Sequence, residues 1–202
     1  MLKSIFEEHP EMRVLQLRSG EFKTREDSED LIIEGYFAVF NSNYEMWEGA
    51  SESIAPGAFD SSLAGDIRAL TNHDTTLVLG RTKANTLELK SDSHGLWGSI
   101  KVNPKDSDAM NTYERVKRGD VDQCSIGFII RKEETDFSDA GEIHWTITDV
   151  ELFEVSVCTF PAYEETGISA RHRDAEELKK RASEAWKMQM NERLKKISTK
   201  EE

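Results

Sequence analysis

A chain of 202 residues carrying a formal charge of −13 is long enough for one ordinary domain with a self-sufficient core, plus an appendage. Residues 171–202 hold 10 Lys/Arg against 7 Asp/Glu, a local +3 that leaves −16 for the first 170 residues. So acidic a body repels phosphate backbones, which argues against sequence-independent nucleic-acid binding and favours basic partners.

The N-terminal residues Met1-Leu2-Lys3-Ser4-Ile5-Phe6-Glu7-Glu8-His9 turn acidic too early for a signal peptide. Residues 1–30 read as a flexible leader followed by an edge element, because 23–30 are almost wholly polar. From 31 to about 170 the pattern changes to short β runs separated by turn residues. The run 31–40 is rich in β-branched and aromatic residues and stops at Asn41-Ser42-Asn43. Further strands are expected over 67–72, 86–90, 96–102, 123–131 and 143–160.

Two helices are expected between the strands. One enters at Pro56-Gly57 and leaves at Gly65, with proline in its first turn and glycine at its exit. The other follows Pro104, where Asp106 or Ser107 can cap a helix carrying Met110, Tyr113 and Val116 and ending at Gly119. Many short strands with few helices suggest an α+β, mainly β fold, with a closed or partly open β-barrel core surrounded by short helices. Over 172–198, Ala175, Leu178, Ala182, Ala185, Leu194 and Ile197 recur at threes and fours without Gly or Pro, which predicts a long amphipathic C-terminal helix. The domain reading is therefore a leader over 1–30, a β body over 31–170 and a helical tail over 171–202. No run of about 18 apolar residues is present, so no membrane span is expected.

The residues able to carry chemistry are few. Cys124 and Cys158 both lie in apolar strand-like runs and read as buried, reduced thiols of a cytosolic compartment. His9, His94, His144 and His172 show no metal-ligand spacing, so neither a metal nor a cofactor is expected. His73 ends a strand-like run beside Asn72 and Asp74, where its ring can point into a cleft as a base near neutral pH. A surface-loop histidine is the more common outcome for such a position.

Ser125, within Cys124-Ser125-Ile126-Gly127-Phe128, alternates with its neighbours, so Ser125 and Gly127 share one face while Cys124 and Ile126 share the other. Gly127 leaves room above the hydroxyl for a substrate carbonyl, although a satisfied strand serine would look the same. Glu154, in the otherwise apolar Leu152-Phe153-Glu154-Val155-Ser156-Val157-Cys158, is either solvated or buried with a hydrogen-bonded partner. A histidine N–H would suit it, with Asp149 and Glu151 as competitors. A serine, a histidine and a carboxylate are the parts of an activated hydroxyl nucleophile.

The order of these segments resembles the prohead protease family of tailed bacteriophages, relatives of the herpesvirus capsid-maturation protease assemblin. The resemblance rests on Gly35-Tyr36-Phe37-Ala38-Val39-Phe40, Ile54-Ala55-Pro56-Gly57-Ala58-Phe59, Leu70-Thr71-Asn72-His73-Asp74, Leu79-Gly80 and Gly95-Leu96. It continues through Gly119, Ser125-Ile126-Gly127-Phe128 and Glu154-Val155-Ser156-Val157 into Pro161-Ala162-Tyr163. It implies a serine endopeptidase with Ser125 as nucleophile, His73 as base and Glu154 as third member, a position the herpesvirus branch fills with a second histidine. It also implies capsid-protein and scaffold substrates inside an immature prohead in the host cytoplasm, self-cleavage, and a possible homodimer. Oxyanion donors are guessed in 159–162. The competing readings are a non-catalytic capsid assembly or scaffold-binding protein on the same fold, and a cysteine hydrolase using Cys124.

Overall fold

The computed structural model describes residues 13–17, 22–27, 30–138 and 141–160, and in the C-terminal segment 175–177, 179–181, 183–184, 187–188 and 190. The chain divides into two units, 1–164 and 165–202. Every described residue of the second unit, from 175 to 190, is helical. The single long helix expected over 172–198 is not supported, since the rest of that stretch lies outside the described residues.

The described residues of the first unit form two sheets. The larger has seven strands: β1 (Arg13–Leu17), β4 (Tyr44–Trp47), β5 (Ala50–Ile54), β6 (Arg68–Thr71), β7 (Asp74–Arg81), β10 (Gln123–Phe137) and β11 (Ile143–Cys158). Its main path runs β1-β10-β11-β5-β4, with β6 also pairing β11 and β7 pairing β6. The smaller sheet, β2-β3-β9-β8, consists of β2 (Lys23–Asp27), β3 (Asp30–Val39), β8 (Leu87–Ser91) and β9 (Gly95–Val102).

The expected barrel is not found, because the strands form two sheets with ends of their own. The long strand β11 explains why. Its first half takes β5 as a parallel neighbour (Ile143↔Ala50 to Ile147↔Ile54), and its second half takes β6 (Glu154↔Arg68 to Val157↔Thr71). One strand thus serves two different partners along one edge, which branches the sheet.

Periodicity accounts for the core. Ile33, Phe37 and Ala38 of β3, Leu96 and Ile100 of β9, Cys124, Ile126 and Phe128 of β10, and Val155 and Val157 of β11 are buried in one hydrophobic cluster. Gly95 lets β9 approach β3 closely: a Cβ there would stand 1.9 Å from the Ala38 carbonyl oxygen. Helix α1 (Ser107–Arg118) closes on the same cluster through Tyr113 and Val116. Asp106 caps it by accepting from the N–H groups of Asp108 and Ala109, and Gly119 ends it with φ 85°.

The helix expected from Pro56 to Gly65 is instead a string of turns, closed by Ala58 N–H to Ala55 O, Asp60 to Gly57, Ser62 to Phe59 and Gly65 to Ser62. Gly57 sits at φ +86°, outside helical space. Ser62 is also pinned to β11, donating to Val150 O at 2.5 Å and accepting from Leu152 N–H at 3.0 Å. These side-chain bonds hold Ala58 and Phe59 buried without a helical ladder. The segment read as a leader followed by an edge element supplies β1 and β2, each at the end of its sheet's path, and β4, β5 and β7 are further strands beyond those expected.

Candidate active site

β10 and β11 bring the candidate residues to one place. They pair antiparallel with Ser125 opposite Ser156 and Gly127 opposite Glu154. Alternation along β11 then places Glu154, Ser156 and Cys158 on the face that carries Ser125. Ser125, Ser156 and Glu154 are essentially without exposed surface, at 0, 0 and 1%. On the other side of β10, Gln16 of β1 pairs with Ser125.

His73 reaches this face through β6. Ser156 pairs with Leu70 and Val157 with Thr71, after which the chain turns back into β7. Asn72 and His73 are the two central residues of that hairpin, with φ of 52° and 60°, the left-handed pair that two-residue hairpins require. The conformation is uncommon outside glycine, and asparagine and histidine are among the residues enriched in it. Three hydrogen bonds hold the turn against β11: Asn72 N–H to Val157 O (3.0 Å), Thr159 N–H to Asn72 Oδ1 (2.9 Å) and His73 N–H to Ser156 Oγ (3.1 Å).

The imidazole meets the carboxylate directly, with His73 Nδ1 2.7 Å from Glu154 Oε1. An ionised carboxylate only accepts, so Nδ1 carries the proton and Nε2 is left as the acceptor. The second oxygen of Glu154 is also occupied, because Ser156 donates its hydroxyl to Oε2 at 2.6 Å. A charge this deeply buried is tolerable because both oxygens are satisfied. Nε2 faces the thiol of Cys158, 3.9 Å away. Burial, then the neighbouring Glu154 charge, pushes that thiol up to about 12.

The other candidates are elsewhere. Asp74, next to His73 in sequence, accepts from the Thr76 N–H and hydroxyl, which hold its carboxyl below the usual carboxylate range. Asp149 accepts from Ser61 at 2.7 Å and Glu151 pairs with Arg131 at 2.7 Å. Of the three carboxylates weighed on β11, Glu154 is the one bonded to His73. Cys124 points away from this face, with its thiol 3.3 Å from the Tyr36 carbonyl oxygen in the core between the sheets. Both cysteines are buried and neither forms a disulfide, as their strand context suggested. The Thr159 N–H is engaged by Asn72, and Phe160 is exposed; 161–162 lie outside the described residues.

Among the remaining histidines, His144 is held between Ser51 and Ser53 at 2.8 Å each, and His94 packs edge-on against Tyr36. His9 and His172 lie outside the described residues. Among the described residues no cluster of His, Cys, Asp or Glu could hold a metal ion, and no helix is long and apolar enough to cross a membrane. Ser156 and Cys158 are the site residues that sequence reasoning missed. The available signal was their spacing of two and four from Glu154 on a strand.

Over 163 residues the chain is 33% identical to the prohead protease of Enterobacteria phage HK97, covering 79% of this chain and 68% of that protein. The structure of the bacteriophage T4 capsid assembly protease, gp21, aligns with 73% of this chain and 96% of its own at a TM-score of 0.45 and 8% identity. The sequence signature described as Caudovirus prohead serine protease matches residues 19–181, a stretch that contains His73, Ser125 and Glu154. The chain therefore belongs to the Caudovirus prohead serine protease family, the serine-type peptidases of phage capsid maturation.

Proposed function

We propose that Ser125 is the nucleophile of this peptidase, His73 its general base and Glu154 the group that orients and charges the base. The observation that carries the reading is the 2.7 Å contact between His73 Nδ1 and Glu154 Oε1 on the sheet face that holds Ser125. With Nδ1–H committed to the carboxylate, Nε2 is the nitrogen that takes the Ser125 proton as Oγ attacks a peptide carbonyl carbon. The tetrahedral intermediate collapses as the imidazolium gives that proton to the leaving amine. Water, deprotonated by the same nitrogen, then releases the acyl group and restores the serine.

The substrates in this reading are the scaffold region and the N-terminal extension of the major capsid protein, met inside the immature prohead, and the enzyme's own chain. The acidic body, −16 over the first 170 residues, suits basic substrate segments.

Co-expression with the cognate shell protein tests the reading. The wild type should yield a shortened shell protein on a gel, and Ser125→Ala should leave it full-length while remaining folded. Equal processing by both proteins would remove Ser125 from the mechanism. A serine-reactive fluorophosphonate adds a second readout: it should label the wild type and not Ser125→Ala.

A further inference from the structure

The buried hydroxyl of Ser156 has no part in the chemistry just described, yet it touches both the base and its carboxylate. It donates to Glu154 Oε2 at 2.6 Å and accepts the His73 main-chain N–H at 3.1 Å. We propose that Ser156 is a positioning residue that fixes the His73–Glu154 pair in register with the nucleophile, a role that rests on the catalytic reading above.

Three features support this role. First, a carboxylate held at one oxygen can rotate about its terminal torsion, which is broad and roughly two-fold. With Oε1 on His73 and Oε2 on Ser156, both oxygens are spoken for, and the plane that presents Oε1 to the imidazole is set. Second, His73 sits at φ 60°, in the left-handed region that residues other than glycine adopt infrequently. The main-chain bond to Ser156 is made by this residue itself, so the hydroxyl holds the base at its backbone as well as through its ring. Third, Ser156 pairs directly with Ser125 across β10–β11, and both side chains are fully buried. One residue therefore relates three groups, its hydroxyl touching the base and the carboxylate and its backbone pairing with the nucleophile.

Serine suits this place for a reason of capacity. A hydroxyl offers one donor and two acceptor positions, so it can give to the carboxylate and receive the amide at once. Alanine keeps the strand and loses both contacts, leaving Glu154 Oε2 buried without its donor. A misplacement of about 1 Å in such a constellation can cost on the order of 100-fold in rate.

The test uses the whole chain in three forms: wild type, Ser156→Ala and Ser125→Ala. Two quantities are read, the rate of fluorophosphonate labelling and the downfield proton resonance of the His73 Nδ1–H held by Glu154. Folding of each variant is checked by thermal melt. Ser156→Ala is expected to label about 10- to 100-fold more slowly than wild type and to lose or broaden the downfield resonance. Ser125→Ala is expected to keep the resonance and lose labelling. Labelling of Ser156→Ala within about twofold of wild type overturns the proposal, as does slow labelling with an unchanged resonance, since the defect would then lie outside the pair. Labelling of Ser125→Ala at the wild-type rate overturns the catalytic reading instead, and does so whatever Ser156→Ala shows.

Discussion

The second ring nitrogen of His73, Nε2, lies 3.9 Å from the Cys158 thiol, so the candidate base stands between a carboxylate and a sulfur. A thiol beside an imidazole is the usual makings of a reactive cysteine, but this one is held in its neutral form. Burial and the adjacent Glu154 charge raise it to about 12, whereas reactive cysteines sit in electropositive, partly exposed places. Cys124 is buried on the opposite face of β10. Iodoacetamide at pH 7.5 should therefore leave native protein unmodified and still labelled by fluorophosphonate, and should alkylate both cysteines after denaturation. Rapid loss of labelling under native alkylation would restore a thiol mechanism.

The same thiol has a consequence for stability. Its folded pKa of about 12 lies above the model-compound value of 9.0. The folded protein keeps the proton at pH values where the unfolded chain has lost it, so stability falls as pH rises. The contribution is intact below about pH 9 and is lost progressively towards pH 12. Between pH 9 and pH 11 the loss is on the order of 2–3 kcal/mol. Urea melts of wild type and Cys158→Ala across this range should show the wild type losing stability more steeply. Parallel curves would mean that the thiol titrates alike in both states.

Much of this site is legible in the sequence because it lies on strands with strong apolar patterning. Alternation separates Ser125 from Cys124, and the lone carboxylate of 152–158 asks for a partner that His73 supplies. The supporting residues are harder to read, since Ser156 and Cys158 look like ordinary strand fillers until the β6 hairpin brings His73 over them. The strands missed are those whose pairing is decided elsewhere. β5, Ala-Ser-Glu-Ser-Ile, is mostly polar and is held as a parallel neighbour of β11, ninety residues distant. β7 begins with the exposed Asp74-Thr75-Thr76, which reads as loop. The turns at 56–65 carry helix-like boundary residues, but Gly57 uses its freedom for a left-handed turn and Ser62 bonds to β11 instead.

The far end of β11 offers a control that separates stability from chemistry. His144 takes Ser51 Oγ at Nδ1 and Ser53 Oγ at Nε2, each at 2.8 Å, and so ties β11 to β5. A hydroxyl can donate or accept, so either neutral tautomer satisfies both contacts. His144→Ala should cost about 1–3 kcal/mol, the net worth of two such bonds. The substitution lies ten residues along β11 from Glu154, outside the pairing with β6, so the fluorophosphonate labelling rate of the folded variant should stay within about twofold of wild type. A large fall in rate without a fall in melting temperature would contradict this separation.

Glu154→Gln isolates the carboxylate's charge from its shape. The amide fills the same volume and can turn its oxygen towards His73 Nδ1–H, with its NH2 directed at Ser156, which is itself able to accept. Folding should therefore survive, with a loss of no more than about 1–3 kcal/mol. In the proposed mechanism, what glutamine cannot supply is the negative charge that stabilises imidazolium once the Ser125 proton has moved, and general acid–base assistance of this kind is worth about 100- to 10,000-fold. The labelling rate of Glu154→Gln should fall by at least about 100-fold. Asp74→Asn, Asp149→Asn and Glu151→Gln should each stay near wild type, because those carboxylates bond to Thr76, Ser61 and Arg131 and none to the base. A rate for Glu154→Gln equal to these three would show that the contact with His73 holds the loop in place without driving proton transfer.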